Sequence, residues 1–253
     1  MAQPVRLNPY DAWPRWLASP SGAGLKAATQ AWLNQRLADQ FGYQALEIGP
    51  GGLHALAENR ISTRSRLSFY APTLGQVEPQ STEIICTPEA LPLESDSVDL
   101  LVLLFSLELV EDPHALLREV ERVLIPEGQL VVVGLNPYSL WSFHRPMSPV
   151  LFPPIAGRWI SYRRLRDWCQ LLGLEVNQGA FGLYRPVCQS ESGWERLAWM
   201  ELAGARWWPA LGSLYWLGAT KRRSGMRLIR ADWSRERAKA GRAQPVTSAQ
   251  VRS

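Results

Sequence analysis

The chain of 253 residues has only three cysteines, Cys86, Cys169 and Cys188, with no CxxC pair among them. A disulfide framework and a structural zinc site are therefore unsupported, and a reduced, cytoplasmic compartment is expected. Three histidines, His54, His114 and His144, form no HExxH motif, so no metal site is expected. Long apolar runs are also lacking. Leu100–Phe105 and Leu130–Val133 fall far short of the ~18 residues a membrane span needs. The opening MAQPVRLNPYDAW has no apolar core segment, so no secretory signal is expected. With 46% hydrophobic and 20% charged residues, the composition is globular, which excludes a disordered, collagen-like or coiled-coil chain.

What is present is uneven. Residues 221–253 carry ten Lys/Arg and two Asp/Glu, a charge of +8, while the first 220 residues carry −4. The basicity belongs to the tail. Twelve tryptophans fall mainly near the start, at Trp13, Trp16 and Trp32, and late, at Trp194, Trp199, Trp207, Trp208 and Trp216.

Periodicity predicts a helix over Leu25–Phe41, stopped by Gly42. A short strand, Gln44–Gly49, runs into Gly49-Pro-Gly-Gly52, with a helical turn expected over His54–Arg60. Strands are expected at Arg66–Tyr70, Glu83–Cys86, Val98–Phe105, Gln129–Leu135, Glu175–Gly182 and Ser213–Thr220. Asp112-Pro113 reads as the start of a helix reaching Leu124, and Pro126–Gly128 as a turn. Ser161 caps a further helix over Tyr162–Leu172, which Gly173 ends, and Trp194–Trp207 has helical character. Strands alternating with helices, the central ones apolar on both faces, predict an α/β fold with a mostly parallel sheet and helices on both faces.

A strand ending in Gly-x-Gly before a helix is a ligand-binding device: glycine admits close backbone approach, and helix N–H groups meet a polar group. The dinucleotide fingerprint fails, because His54 stands where its third glycine belongs. No GK[ST] follows, so an NTP loop is absent as well.

The order of motifs is more specific than the glycines alone. Leu46-Glu-Ile-Gly-Pro-Gly-Gly52 comes first. Glu89-Ala-Leu-Pro-Leu93 precedes Ser97-Val-Asp-Leu-Leu-Val102. Asp112-Pro-His-Ala-Leu-Leu-Arg-Glu119 follows, and Arg122-Val-Leu-Ile-Pro-Glu-Gly128 leads into Leu130-Val-Val-Val-Gly134. Together these resemble the class I S-adenosylmethionine (SAM)-dependent methyltransferases, in particular their type 11 branch. The Trp-bearing N-terminal helix is similar to that of a small bacterial group within it. The resemblance implies a Rossmann-like domain over residues 44–221, an N-terminal helical cap over 1–43 and a basic, disordered tail over 222–253.

It also implies a SAM site. Gly49, Pro50, Gly51 and Gly52 would lie along the methionine part and Glu47 near its amino group. Thr87 and Glu89 would stand beside the adenine, and Phe105 and Ser106 beside the sulfonium and ribose. The family usually has a ribose-binding acid at the end of the second strand; here the candidates are Tyr70, Ala71 and Pro72. It commonly has an aspartate where Thr87 stands. Glu108, Tyr138 and His144 are the candidate bases. The implied activity is methyl transfer to a small or lipid-like acceptor. A methyltransferase-fold binding protein without catalysis stays open, as does nucleic acid as partner of the tail, the less favoured reading. The early tryptophans are expected to pack a helix on the sheet, with a roof over the pocket as the alternative. The late ones are expected in the core, with an apolar lid or dimer face as the alternative.

Overall fold

In the computed structural model the apolar segments pair into one seven-stranded sheet; residues 9–70, 83–145, 151–155 and 158–222 are described. The strands are β1 (Gln44–Ile48), β2 (Thr63–Ser68), β3 (Glu83–Ile85), β4 (Val98–Leu104), β5 (Leu124–Leu135), β6 (Leu174–Gly182) and β7 (Leu214–Lys221). Their order is β3-β2-β1-β4-β5-β7-β6. The first five run parallel, and β7 lies antiparallel between β5 and β6. Strand order therefore reverses between β1 and β4, the place where open α/β sheets bind ligands.

Each face of the sheet has its own core. Helices α1 (Pro9–Leu17) and α2 (Pro20–Leu37) bury Trp13, Leu17, Leu25 and Leu33 on one face, with Leu100, Val102 and Leu104 of β4. On the other face lie α4 (Pro113–Val123) and α6 (Tyr162–Leu171). Helix α4 begins as its sequence dictates. Asp112 Oδ1 accepts from the N–H groups of His114 and Ala115 at 2.9 and 3.1 Å, and Pro113 follows the cap. Its apolar stripe, Leu116, Leu117, Val120 and Val123, is fully buried. Helix α6 starts at Ser161 and gives way to Gly173, whose φ of +76° favours glycine. The short α3 (Ser106–Leu109) precedes α4 in the chain, and the short α5 (Leu140–His144) precedes α6.

Several expectations are corrected. No helix follows the glycine loop: residues 49–62 join β1 to β2 through turns alone, so the helix N-terminus expected there does not exist. The reason is tertiary. Leu53, Ala55, Leu56 and Ile61 of the connection are buried in the same core as α1 and α2, which cover that face. Helix α2 ends at Leu37, not at Gly42, and Phe41 is exposed. Strand β2 ends at Ser68, so Tyr70 lies beyond it, while Ala71 and Pro72 lie outside the described residues. Pro126–Gly128 is no separate turn but part of the long, irregularly paired β5. The late helical stretch is two helices, α7 (Glu191–Arg196) and α8 (Trp199–Trp207). Of its expected core residues, Trp199, Leu202 and Trp207 are exposed at 59, 82 and 72%. Among the described residues no helix is long and apolar enough to cross a membrane. The tail, apart from Arg222, lies outside the described residues.

Candidate functional site

At the reversal between β1 and β4, four of the expected elements meet. Ser106 Oγ donates to Ile48 O at 2.6 Å and so ties the end of β1 to the start of α3. A Cβ on Gly49 would stand 2.7 Å from Leu104 Cβ, so only glycine lets the loop leave β1 this close to β4. Gly52 has φ +83°, and a side chain there would press on Leu17 of α1 at 3.0 Å. Phe105 is fully buried with φ +52°, a conformation that costs a non-glycine residue on the order of 1 kcal/mol or more. It is held by its N–H bond to Val133 O at 2.9 Å and by Trp13, whose ring stacks on it at 5.0 Å.

Glu47 is buried in β1, and both of its oxygens are engaged by the chain itself. Oε2 accepts from Ala55 N at 2.7 Å and from Leu56 N at 3.3 Å, and Oε1 from Arg66 at 3.0 Å. Burial pushes its pKa up, against the opposing pull of Arg66. Arg66 was not anticipated from the sequence, yet it organises the loop. It stands opposite Glu47 in the β1–β2 register and donates to Pro50 O and Leu53 O, both at 2.6 Å. The available signal was an arginine in the short second strand, Thr63–Ser68, with an acid in the strand before it.

Thr87 and Glu89 are not brought to this point by any described contact. Both are exposed on the turn after β3, where Thr87 bridges to Ala90. Ser68, the residue at the end of β2, is no acid; its hydroxyl donates to Tyr70 O at 3.0 Å. Tyr70 reaches the other way and donates to Leu109 O at 2.8 Å, across the mouth between β2 and α3.

Beyond the ends of β4 and β5 lies a cavity of about 1280 Å³. That exceeds the ~300–1,000 Å³ usual for small-molecule sites. Tyr70, Leu107, Val110, Ile155, Trp159 and Trp168 are among its lining residues. Glu108 lines it too, fully buried. Oε1 accepts from Leu135 N at 3.1 Å, and Oε2 has no hydrogen-bond partner among the described residues. Burial pushes its pKa up to about 7. A Cβ on Gly134 would collide with both the Tyr215 hydroxyl and Glu108 Oε1, so this glycine makes room for two buried polar groups side by side. Of the other candidate bases, Tyr138 is 70% exposed on the cavity wall. His144 is exposed on α5, its ring bonded to Leu140 O at 2.9 Å. The early tryptophans pack as expected: Trp13 and Trp16 are buried, and Trp32 stacks on Trp216 at 5.3 Å.

Comparison with known proteins places this arrangement. Residues 46–132 match the model of a methyltransferase-domain family, type 11. The Escherichia coli (strain K12) protein YafS is 32% identical over 163 residues, 64% of this chain and 65% of that protein. A demethylmenaquinone methyltransferase of Chlamydia pneumoniae is 43% identical over 47 residues, 19% of this chain and 20% of that protein. The chain thus spans less than two thirds of these relatives. Among solved structures, a possible histamine N-methyltransferase of Thermotoga maritima superposes with a TM-score of 0.60 at 20% identity, covering 84% of this chain and 96% of that one.

SAM is the cofactor that this fold implies, and the loop offers a donor set that fits it. Among the described residues none accepts a hydrogen bond from Gly51 or Gly52 N–H, although Gly51 is buried. Trp13 Nε1, on the helix that touches Gly52, is likewise buried without an acceptor. Each buried donor left unmet costs about 1–3 kcal/mol, so Gly51 N–H and Trp13 Nε1, with the half-buried Gly52 N–H beside them in the chain, suit an acceptor-rich ligand such as an amino-acid carboxylate. Sheet order, glycine loop and family match agree: residues 46–132 match a methyltransferase domain, and the chain has the fold of the class I, SAM-dependent methyltransferases.

Proposed function

We propose that the protein is a methyltransferase acting on a small or lipid-like acceptor held in the cavity beyond β4 and β5. The observation that carries this is the placement of a large, mainly apolar cavity at the same sheet edge as the glycine loop with its unmet donors. Gly49, Pro50, Gly51 and Gly52 would hold the methionine part, Phe105 and Ser106 would border the sulfonium, and Thr87 and Glu89 would flank the adenine. SAM itself supplies an activated methyl group, so the protein need only bind, align and exclude water. Glu108 is the titratable group best placed to take a proton, since a carboxyl with a pKa of about 7 is half ionised near neutrality. The match to a demethylmenaquinone methyltransferase, short as it is, agrees with an apolar acceptor. A cytosolic location completes this reading.

Calorimetric titration with S-adenosylhomocysteine tests it. Binding in the micromolar range, abolished by Gly51→Arg, is the expected result. No heat at millimolar ligand would overturn it.

A second reading is a binding protein that has lost catalysis. It is favoured by Glu47, whose oxygens are already engaged, and by Ser68 at the end of β2 in place of an acid. A carboxylate accepting two hydroxyls supplies about 1.5–3 kcal/mol per bond. Transfer of radiolabelled methyl to any component of a cell extract, lost in Gly51→Arg, would eliminate this second reading.

A further inference from the structure

We propose that the cavity beyond β4 and β5 recognises its ligand through an acidic group, phosphate or carboxylate, carried on an apolar body. Calling that ligand the methyl acceptor rests on the function proposed above; the binding claim itself does not.

Three arginines line the cavity: Arg145 at the end of α5, Arg158, and Arg164 in the first turn of α6. None forms an ion pair with a carboxylate among the described residues. Elsewhere in the protein, Arg66, Arg122, Arg185 and Arg222 each do. Lone arginines on a convex surface are merely hydrated, but these three converge on one concavity. Arg145 is also half-buried, with Nη2 donating to Ile155 O at 2.6 Å. Partial desolvation of a cation without a countercharge is unfavourable and is relieved by an anion.

The guanidinium planes are also braced. Arg145 lies 5.1 Å from the Trp159 ring and Arg164 5.3 Å from the Trp168 ring. A braced, planar fork loses less freedom on binding and suits bidentate oxygen pairs. The α6 N-terminus opens at the same place. Ser161 caps Arg164 N–H, while Tyr162 and Arg163 N–H donate to no described residue.

The opposing charges do not cancel this. Glu111 is exposed at the rim, and Glu108 is buried with Oε2 unpartnered, in surroundings that favour its neutral form. His114 lines the cavity as well, its ring packed on Trp168 at 3.9 Å. The rest of the wall, with Leu107, Leu109, Val110 and Ile155, is apolar and too extensive for an inorganic ion alone.

Dodecyl phosphate below its micelle concentration, laurate, dodecanol and inorganic phosphate form the test set. Binding to the full chain is followed by calorimetry and tryptophan fluorescence, with and without S-adenosylhomocysteine. Dodecyl phosphate or laurate should bind at least about tenfold tighter than dodecanol and about a hundredfold tighter than inorganic phosphate. Arg158→Ala and Arg164→Ala, at exposed positions that the fold tolerates, should each weaken the acidic ligand about tenfold and leave dodecanol within about twofold. Equal affinity for dodecanol, unchanged affinity in the Arg158→Ala/Arg164→Ala double variant, or inorganic phosphate binding as tightly as dodecyl phosphate would each overturn the proposal. S-adenosylhomocysteine is titrated separately. Its failure to bind beside a tight dodecyl phosphate complex would remove the methyl-transfer reading and leave this site standing.

Discussion

Two halves of the same sheet edge treat their charges in opposite ways. Around the glycine loop, Glu47 and Arg66 are buried together and nearly saturated, and the loop is fastened to them through Pro50 O and Leu53 O. Around the cavity, Glu108 is buried with one oxygen unmet among the described residues, and three lining arginines form no ion pair there with a described carboxylate. The first half uses its charges to fix a backbone shape. The second leaves its charges available. In the loop, the unmet groups are backbone and indole N–H donors, which suits a ligand that brings acceptor oxygens close to the main chain. In the cavity they are ionisable side chains, which suits a ligand read by charge.

Removing one partner of the buried pair should break the comparison most forcefully. Arg66→Ala strands Glu47 without its countercharge, and the loss expected in urea denaturation is about 3–5 kcal/mol. Adding Glu47→Gln should recover much of it, which separates the ion pair from simple packing.

The next effect is a pH dependence. The pKa of Glu108 is raised in the folded protein from 4.5 to about 7. The folded state therefore holds a proton that the unfolded state has released, and stability declines as pH rises from about 4.5 to about 7. Glu108→Gln can keep the bond from Leu135 N–H without ionising. It should abolish that decline, gaining about 3 kcal/mol over the parent at pH 8 and about nothing at pH 4. Denaturation curves at the two pH values check the sign. A parent protein equally stable at both would place Glu108 in a wetter setting than the structure shows.

The smallest effect sharpens the contrast. Arg158→Ala removes an exposed cation with no ionic partner, so its stability should stay within about 0.5 kcal/mol of the parent. Ligand affinity should change while stability does not, the reverse of Arg66→Ala.

Reading the sequence recovered the strands best where apolar residues ran without interruption. Val98–Phe105 and Gln129–Leu135 became β4 and most of β5, because strands buried on both faces carry no polar alternation to confuse them. Helices with explicit caps, α4 and α6, were legible for the same local reason. The connection after the glycine loop was not. His54–Arg60 has short-range helical character, but α1 and α2, which precede it by tens of residues, occupy the face that a helix there would need. The stacking of Trp13 on Phe105 and the placement of Arg145, Arg158 and Arg164 around one cavity were equally invisible, since no local pattern announces which side chains a packed fold will set side by side.

By itself, then, the sequence determined the methyltransferase-domain match, most strands of the sheet and the glycine turn after its first strand, because apolar runs, caps and a glycine turn act over neighbouring residues. The tertiary structure alone decided that both oxygens of Glu47 are engaged but only one of Glu108 among the described residues, that the loop leads into turns, and that three arginines line one hollow. Burial, ion pairing and desolvation are properties of the whole packed molecule, and no stretch of chain carries them in advance.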